Sequence, residues 1–136
     1  MKKKFFLMMA TVLLGLVSIS LSSCSSDDSS PPSGSKTVKY EVTGNYSGQL
    51  FVVFTGANGQ NVEEIITALP WSKEITAPNS LIAVGFGGQT AAQSFGAAGQ
   101  TATAKIYVNN VQKQTGTATA DINGAMTLPS LATHLE

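Results

Sequence analysis

From Thr37 onward the chain repeatedly alternates side-chain character with a period of two, and no segment sustains a helical period over three turns. Residues 37–43 set Val38, Tyr40 and Val42 against Thr37, Lys39, Glu41 and Thr43. Residues 71–76 set Trp71, Lys73 and Ile75 against Ser72, Glu74 and Thr76, and residues 101–108 set Ala102, Ala104, Ile106 and Val108 against Thr101, Thr103, Lys105 and Tyr107. Successive side chains of a strand point to opposite faces, so each segment has one face to bury and one to wet.

Two further runs, 50–54 and 81–86, are continuously apolar, which predicts strands covered on both faces. Turn signals separate these segments. Asn58-Gly59, inside 56–60, leads to a strand near 62–67, and Asn109-Asn110 suits a two-residue hairpin with left-handed residues. A long partner strand from Val111 to about Ile122 then reaches Asn123-Gly124 and a short last strand over 125–128. This pattern predicts an all-β, immunoglobulin-like β-sandwich of about seven strands. The only cysteine is Cys24, so the inter-sheet disulfide of antibody domains is absent and apolar packing alone must hold the fold.

Ahead of this domain, Lys2, Lys3 and Lys4 precede an apolar stretch over 5–21, and Leu21-Ser22-Ser23-Cys24 closes it. A basic segment, an apolar segment and small residues in that order make a signal peptide. The arrangement resembles the lipobox of bacterial lipoproteins, which implies cleavage before Cys24 and acylation of its thiol. Two or three acyl chains, at about 0.8 kcal/mol per buried methylene, would hold the chain on a bilayer. An acylated Cys24 is unavailable as nucleophile, metal ligand or disulfide partner.

Residues 25–35 carry no apolar side chain to bury and read as a disordered linker whose ends lie roughly 18 Å apart. Within it, Ser25, Ser26, Asp27 and Asp28 read either as solvated spacer or as a sorting signal resembling those of surface-exported lipoproteins. The expected organisation is a signal peptide over 1–23, the lipidated cysteine and linker over 24–36, a sandwich domain over 37–131 and a tail over 132–136. His134 falls in that tail, and Leu135-Glu136 is compatible with a cloning remnant. The expected location is the outer membrane, at the cell surface or on the periplasmic face.

The formal charge of zero includes Lys2, Lys3 and Lys4; from Cys24 onward five lysines face eight acids, with no arginine anywhere. Nucleic-acid binding requires a basic stripe with bidentate donors, so that class is excluded. Catalytic groups are equally sparse. His134 is the sole histidine. Glu63 and Glu64 are neighbours that point to opposite faces of a strand, and no glycine-rich phosphate loop occurs. Asp27-Asp28 lacks the alternating oxygen ligands of a calcium loop. A non-catalytic protein without cofactor or metal is expected.

Contact candidates remain. Residues 75–104 contain no charge across 30 positions, and 85–100 are mostly glycine, alanine and glutamine around Phe86 and Phe95. This segment reads as a flexible surface loop or as an adaptable contact surface. Trp71 reads as sheet packing, while Tyr107, flanked by Thr103 and Lys105, is the candidate for outward exposure and ligand contact.

Three segments, Tyr40-Glu41-Val42-Thr43-Gly44, Leu69-Pro70-Trp71-Ser72-Lys73-Glu74 and Ala104-Lys105-Ile106-Tyr107-Val108-Asn109-Asn110, resemble in order and spacing the extracytoplasmic domain of the MmpS-like family (mycobacterial membrane protein, small). The resemblance implies an immunoglobulin-type sandwich serving as accessory subunit of a lipid or siderophore exporter. The family is usually tethered by a transmembrane helix and often carries a late cysteine pair, both of which this chain replaces or lacks. The expected function is therefore a lipid-anchored envelope protein that assists a membrane transporter, with a surface glycan- or protein-binding module as the alternative.

Overall fold

The computed structural model describes residues 34–136. The leader, Cys24 and the sorting-signal residues Ser25, Ser26, Asp27 and Asp28 lie outside the described residues. Eight strands follow in order: β1 (Lys36–Gly44), β2 (Leu50–Thr55), β3 (Asn61–Ile66), β4 (Trp71–Ala77), β5 (Ala83–Thr90), β6 (Thr101–Val108), β7 (Val111–Thr119) and β8 (Thr127–His134). They form two antiparallel four-stranded sheets, ordered β4-β1-β6-β7 and β3-β2-β5-β8. The β2–β3 and β6–β7 connections are hairpins within a sheet; every other connection crosses to the opposite sheet. The fold is a β-sandwich, an architecture that immunoglobulin-type domains share without sharing every connection.

The inward faces follow the alternation in the sequence. Val38, Tyr40 and Val42 of β1 and Ala102, Ala104, Ile106 and Val108 of β6 are buried against Leu50, Val52 and Phe54 of β2. Tyr40 and Trp71 of the first sheet meet Phe54 and Phe86 of the second, with ring centroids 5.1–6.1 Å apart. Aromatic contacts at this range add about 0.5–1.5 kcal/mol each beyond their buried area. The Tyr40 hydroxyl, pushed up in pKa by burial, donates to the Thr55 carbonyl at 2.7 Å, so its polar tip also ties the sheets together. Trp71 packs at this seam as expected, and its indole N–H reaches Glu64 Oε1 at 3.1 Å.

The hairpin at Asn109-Asn110 has φ of 48° and 64°, the double left-handed turn that fits the twist of its strands. The Asn109 side chain also accepts the Thr37 N–H at 3.0 Å.

Four expectations differ from the structure. The run 50–54 is not covered on both faces: Phe51 and Val53 point outward and are only half-buried. The strand expected over 81–86 begins at Ala83 and extends to Thr90, because Leu81 instead closes a turn onto the Pro78 carbonyl and Ile82 stays 73% exposed. The partner strand from Val111 stops at Thr119, where the chain turns through Asp121. The last strand runs through His134, so residues 132–134 form no tail: His134 pairs with Ala83, and Leu135 is buried and donates its N–H to Ile82.

The expected flexible loop over 85–100 is also corrected. Its first six residues are strand, and the remainder is pinned around Tyr46. Gly96 donates its N–H to the Tyr46 hydroxyl at 3.1 Å and to the Gly124 carbonyl at 3.0 Å. Gln100 Oε1 accepts from Ser47 and Ala97 at 2.8–3.0 Å. Glycines allow this close approach, since a Cβ at Gly96 would overlap the Tyr46 ring and one at Gly124 would overlap the Gly96 carbonyl.

Candidate functional site

Strand β5 lies in the middle of its sheet, between β2 and β8. Its outward positions fall at Ala83, Gly85, Gly87 and Gln89, so two successive places on the solvent face carry no side chain. The neighbouring strands do carry them. Phe51 pairs with Gln89 and Val53 with Gly87 on one flank, and Ser130 stands beside Gly87 on the other. The outcome is an open trench of about 540 Å³ with a backbone floor, one apolar wall from Phe51 and Val53, and a second wall from Ser130. Thr55 and Asn61 close one end, and Gln89 stands at the other.

Nothing in the fold demands glycine on this floor. Neither Gly85 nor Gly87 has a positive φ. A Cβ at Gly85 would find its nearest neighbour at 3.7 Å, and one at Gly87 would find Ser130 Oγ at 3.6 Å, both ordinary contacts. Gly88 is different, since a Cβ there would meet the Phe51 carbonyl at 2.6 Å. The register shift between Phe86 and Gly88 also leaves Gly87 without a Cα partner in β8.

The trench lining contains no charged residue. Glu63, paired with Val53, stands one strand further out on the rim. A volume of a few hundred Å³ with an apolar wall and a few polar groups has the form of a small-ligand site. The polar side chains of the lining are the hydroxyls of Thr55 and Ser130 and the amides of Asn61 and Gln89, groups that bind and orient a ligand through hydrogen bonds.

The outer face of the opposite sheet is chemically unlike it. Glu41 accepts from Lys39 at 3.3 Å, from Lys105 at 3.2 Å and from the Tyr107 hydroxyl at 3.2 Å, and the Lys39 ammonium lies 4.4 Å from the Tyr107 ring centroid. Burial tends to raise the Glu41 pKa, but the hydrogen bonds from Lys105 and Lys39 outweigh it and hold the carboxyl below its usual value. The bond to Glu41 holds Lys105 above its own usual value.

The contact candidates therefore separate. Phe86 is only 3% exposed and its ring packs on Tyr40 and Trp71, so it is a core residue and not a contact surface. The sequence misleads there because three nearby glycines suggest a loop where a central strand forms. Tyr107 does face outward, but its hydroxyl is held by Glu41 and its ring by Lys39. Phe95, 58% exposed, sits in the loop pinned by Tyr46 and does not line the trench. The structure brings none of the three together. Phe51, Val53, Gly85 and Gly87 are the residues that sequence reading missed. The available signal was the glycine pair at i and i+2, which on a strand share one face.

Among the described residues, no group of three or more His, Cys, Asp or Glu side chains could hold a metal ion, and no helix is long and apolar enough to cross a membrane. No family model matches the chain, and no curated protein matches it.

Proposed function

We propose that the chain is a non-catalytic, lipid-anchored envelope protein that works by binding, with the β5 trench as its recognition surface. The observation that carries this reading is the bare, uncharged floor at Gly85 and Gly87, set between side-chain walls and unexplained by backbone or packing. The leader and Cys24 support the anchor, and the linker supplies the reach. Fold alone does not assign the job, because sandwiches host many unrelated ones.

The export-accessory role is the second reading, and the three MmpS-like segments support it. In that role the domain docks on a membrane transporter. Trp71, the most distinctive residue of those segments, is occupied by Glu64, Phe54 and Phe86, which supports a folding duty for it within either reading.

Photo-crosslinkers placed at Val53 and at Thr103 in intact cells, followed by mass spectrometry, test the proposal. Capture from Val53 but not from Thr103 is the expected result. Equal capture from both faces, or capture from Thr103 alone, overturns the trench assignment. A transporter subunit among the captured neighbours supports the accessory role.

A further inference from the structure

We infer that the trench over β5 takes an uncharged saccharide chain, a proposal that deepens the binding reading above and rests on it. Three features of the site select this ligand class. First, the lining offers no charge, so an anionic headgroup, a nucleotide or a sulfated glycan gains no ion pair to offset its desolvation.

Second, the polar groups are neutral amides and hydroxyls placed around an apolar wall. Thr55 and Asn61 stand at one end, Gln89 beside the Phe51 ring at the other, and Ser130 along the side next to Gly87. A pyranose ring has the matching character, with an apolar C–H face and a rim of hydroxyls that both donate and accept. A hydrocarbon chain would cover those amides without satisfying them, at a cost of about 1–3 kcal/mol for each one left unpaired.

Third, the floor is bare backbone and belongs to a central strand. β5 is bonded to β2 on one side and to β8 on the other, so an extended peptide cannot add to it as a strand. A ligand must lie on the strand through its own faces, which suits a ring-built chain. From Gly85 to Gln89 the trench spans about 13 Å, room for a short oligosaccharide.

The test uses the full-length chain in detergent micelles, presented to neutral oligosaccharides (maltohexaose, cellohexaose, laminarihexaose and mannohexaose) alongside sialylated and sulfated glycans. Saturation-transfer NMR and retention on immobilised sugars supply the readouts. The expected result is retention of at least one neutral oligosaccharide, weakened about tenfold or more by Gly87→Val, which fills the floor, and by Phe51→Ala, which removes the wall. Unchanged circular dichroism and melting confirm that each variant folds. Retention of charged glycans or of a protein instead, abolished by Gly87→Val, overturns the saccharide assignment and leaves the trench as the binding site. Saccharide retention unaffected by Gly87→Val and Phe51→Ala overturns both, as does the failure of every probe to bind.

Discussion

The hydroxyl of Tyr46 lies 2.7 Å from Oγ1 of Thr90 and donates to the Gly124 carbonyl at 2.8 Å. Thr90 in turn accepts the Met126 N–H at 2.8 Å, and Gly96 donates to Tyr46. One continuous path of hydrogen bonds thus runs from the 121–126 turn through β5 to the 91–100 loop, and buried chains of this kind polarise one another. This single phenol anchors three loops at one pole of the sandwich.

Replacing Tyr46 by Phe keeps the ring and removes the anchor. Gly96, Gly124 and Thr90 then lose a shared partner in a buried place, and unfolding in urea should show a loss of about 1–3 kcal/mol. Amide exchange at Gly96 and Gly124 should accelerate more than exchange in β1 or β6. Equal acceleration everywhere would mean that Tyr46 supports the whole core and not this pole.

The glycines divide into two groups that mutation can separate. Gly85→Ala meets no obstacle and restricts the unfolded chain, so stability should hold or rise by up to about 1 kcal/mol. Gly96→Ala drives a methyl into the Tyr46 ring and should cost about 1–3 kcal/mol. Thermal melts of the two variants side by side check both signs.

Glu41 sets an acid limit on the outer face. Its folded-state pKa is depressed, so its contribution is present above its unfolded value, near 4.5, and fades as pH falls through the folded value. Lys105 has the opposite sign: its pKa is raised, and its contribution disappears only above about pH 10.5. Both groups are partly solvated, so the effect stays within about 1 kcal/mol. Stability measured from pH 3 to 7 should be flatter for Glu41→Gln than for the parent chain.

At the β6–β7 hairpin, Asn110 holds φ at 64° and, among the described residues, its side chain makes no hydrogen bond to the backbone, whereas the Asn109 side chain accepts the Thr37 N–H. Asn110→Gly should stabilise by a few tenths of a kcal/mol up to about 1, since glycine adopts that conformation without strain. Asn109→Gly should do less well because the bond to Thr37 is lost. Urea midpoints rank the two.

Much of the fold was legible in the residues. Where one strand face is wet, as at Val38, Tyr40 and Val42 or along β6, alternation alone identified the buried side. The Asn109-Asn110 turn was legible for a local reason, its tolerance of left-handed backbone. The glycine-rich span was not. Local rules treat Gly85, Gly87 and Gly88 as breakers, and only pairing with β2 and β8 makes a strand of them. The trench went unseen for a related reason: a continuous apolar run at 50–54 suggests burial of both faces, and no local pattern reveals that Phe51 and Val53 overlook a row of absent side chains. At the C-terminus, the strand through His134 depends on Ala83, some fifty residues earlier in the chain.

The trench is aligned with β5, and packed sheets keep their strands within about 30° of one another. Its axis therefore runs lengthwise, from the pole where β1 begins at Lys36 to the pole knotted by Tyr46. A polymer lodged there would point out of both poles rather than lie crosswise.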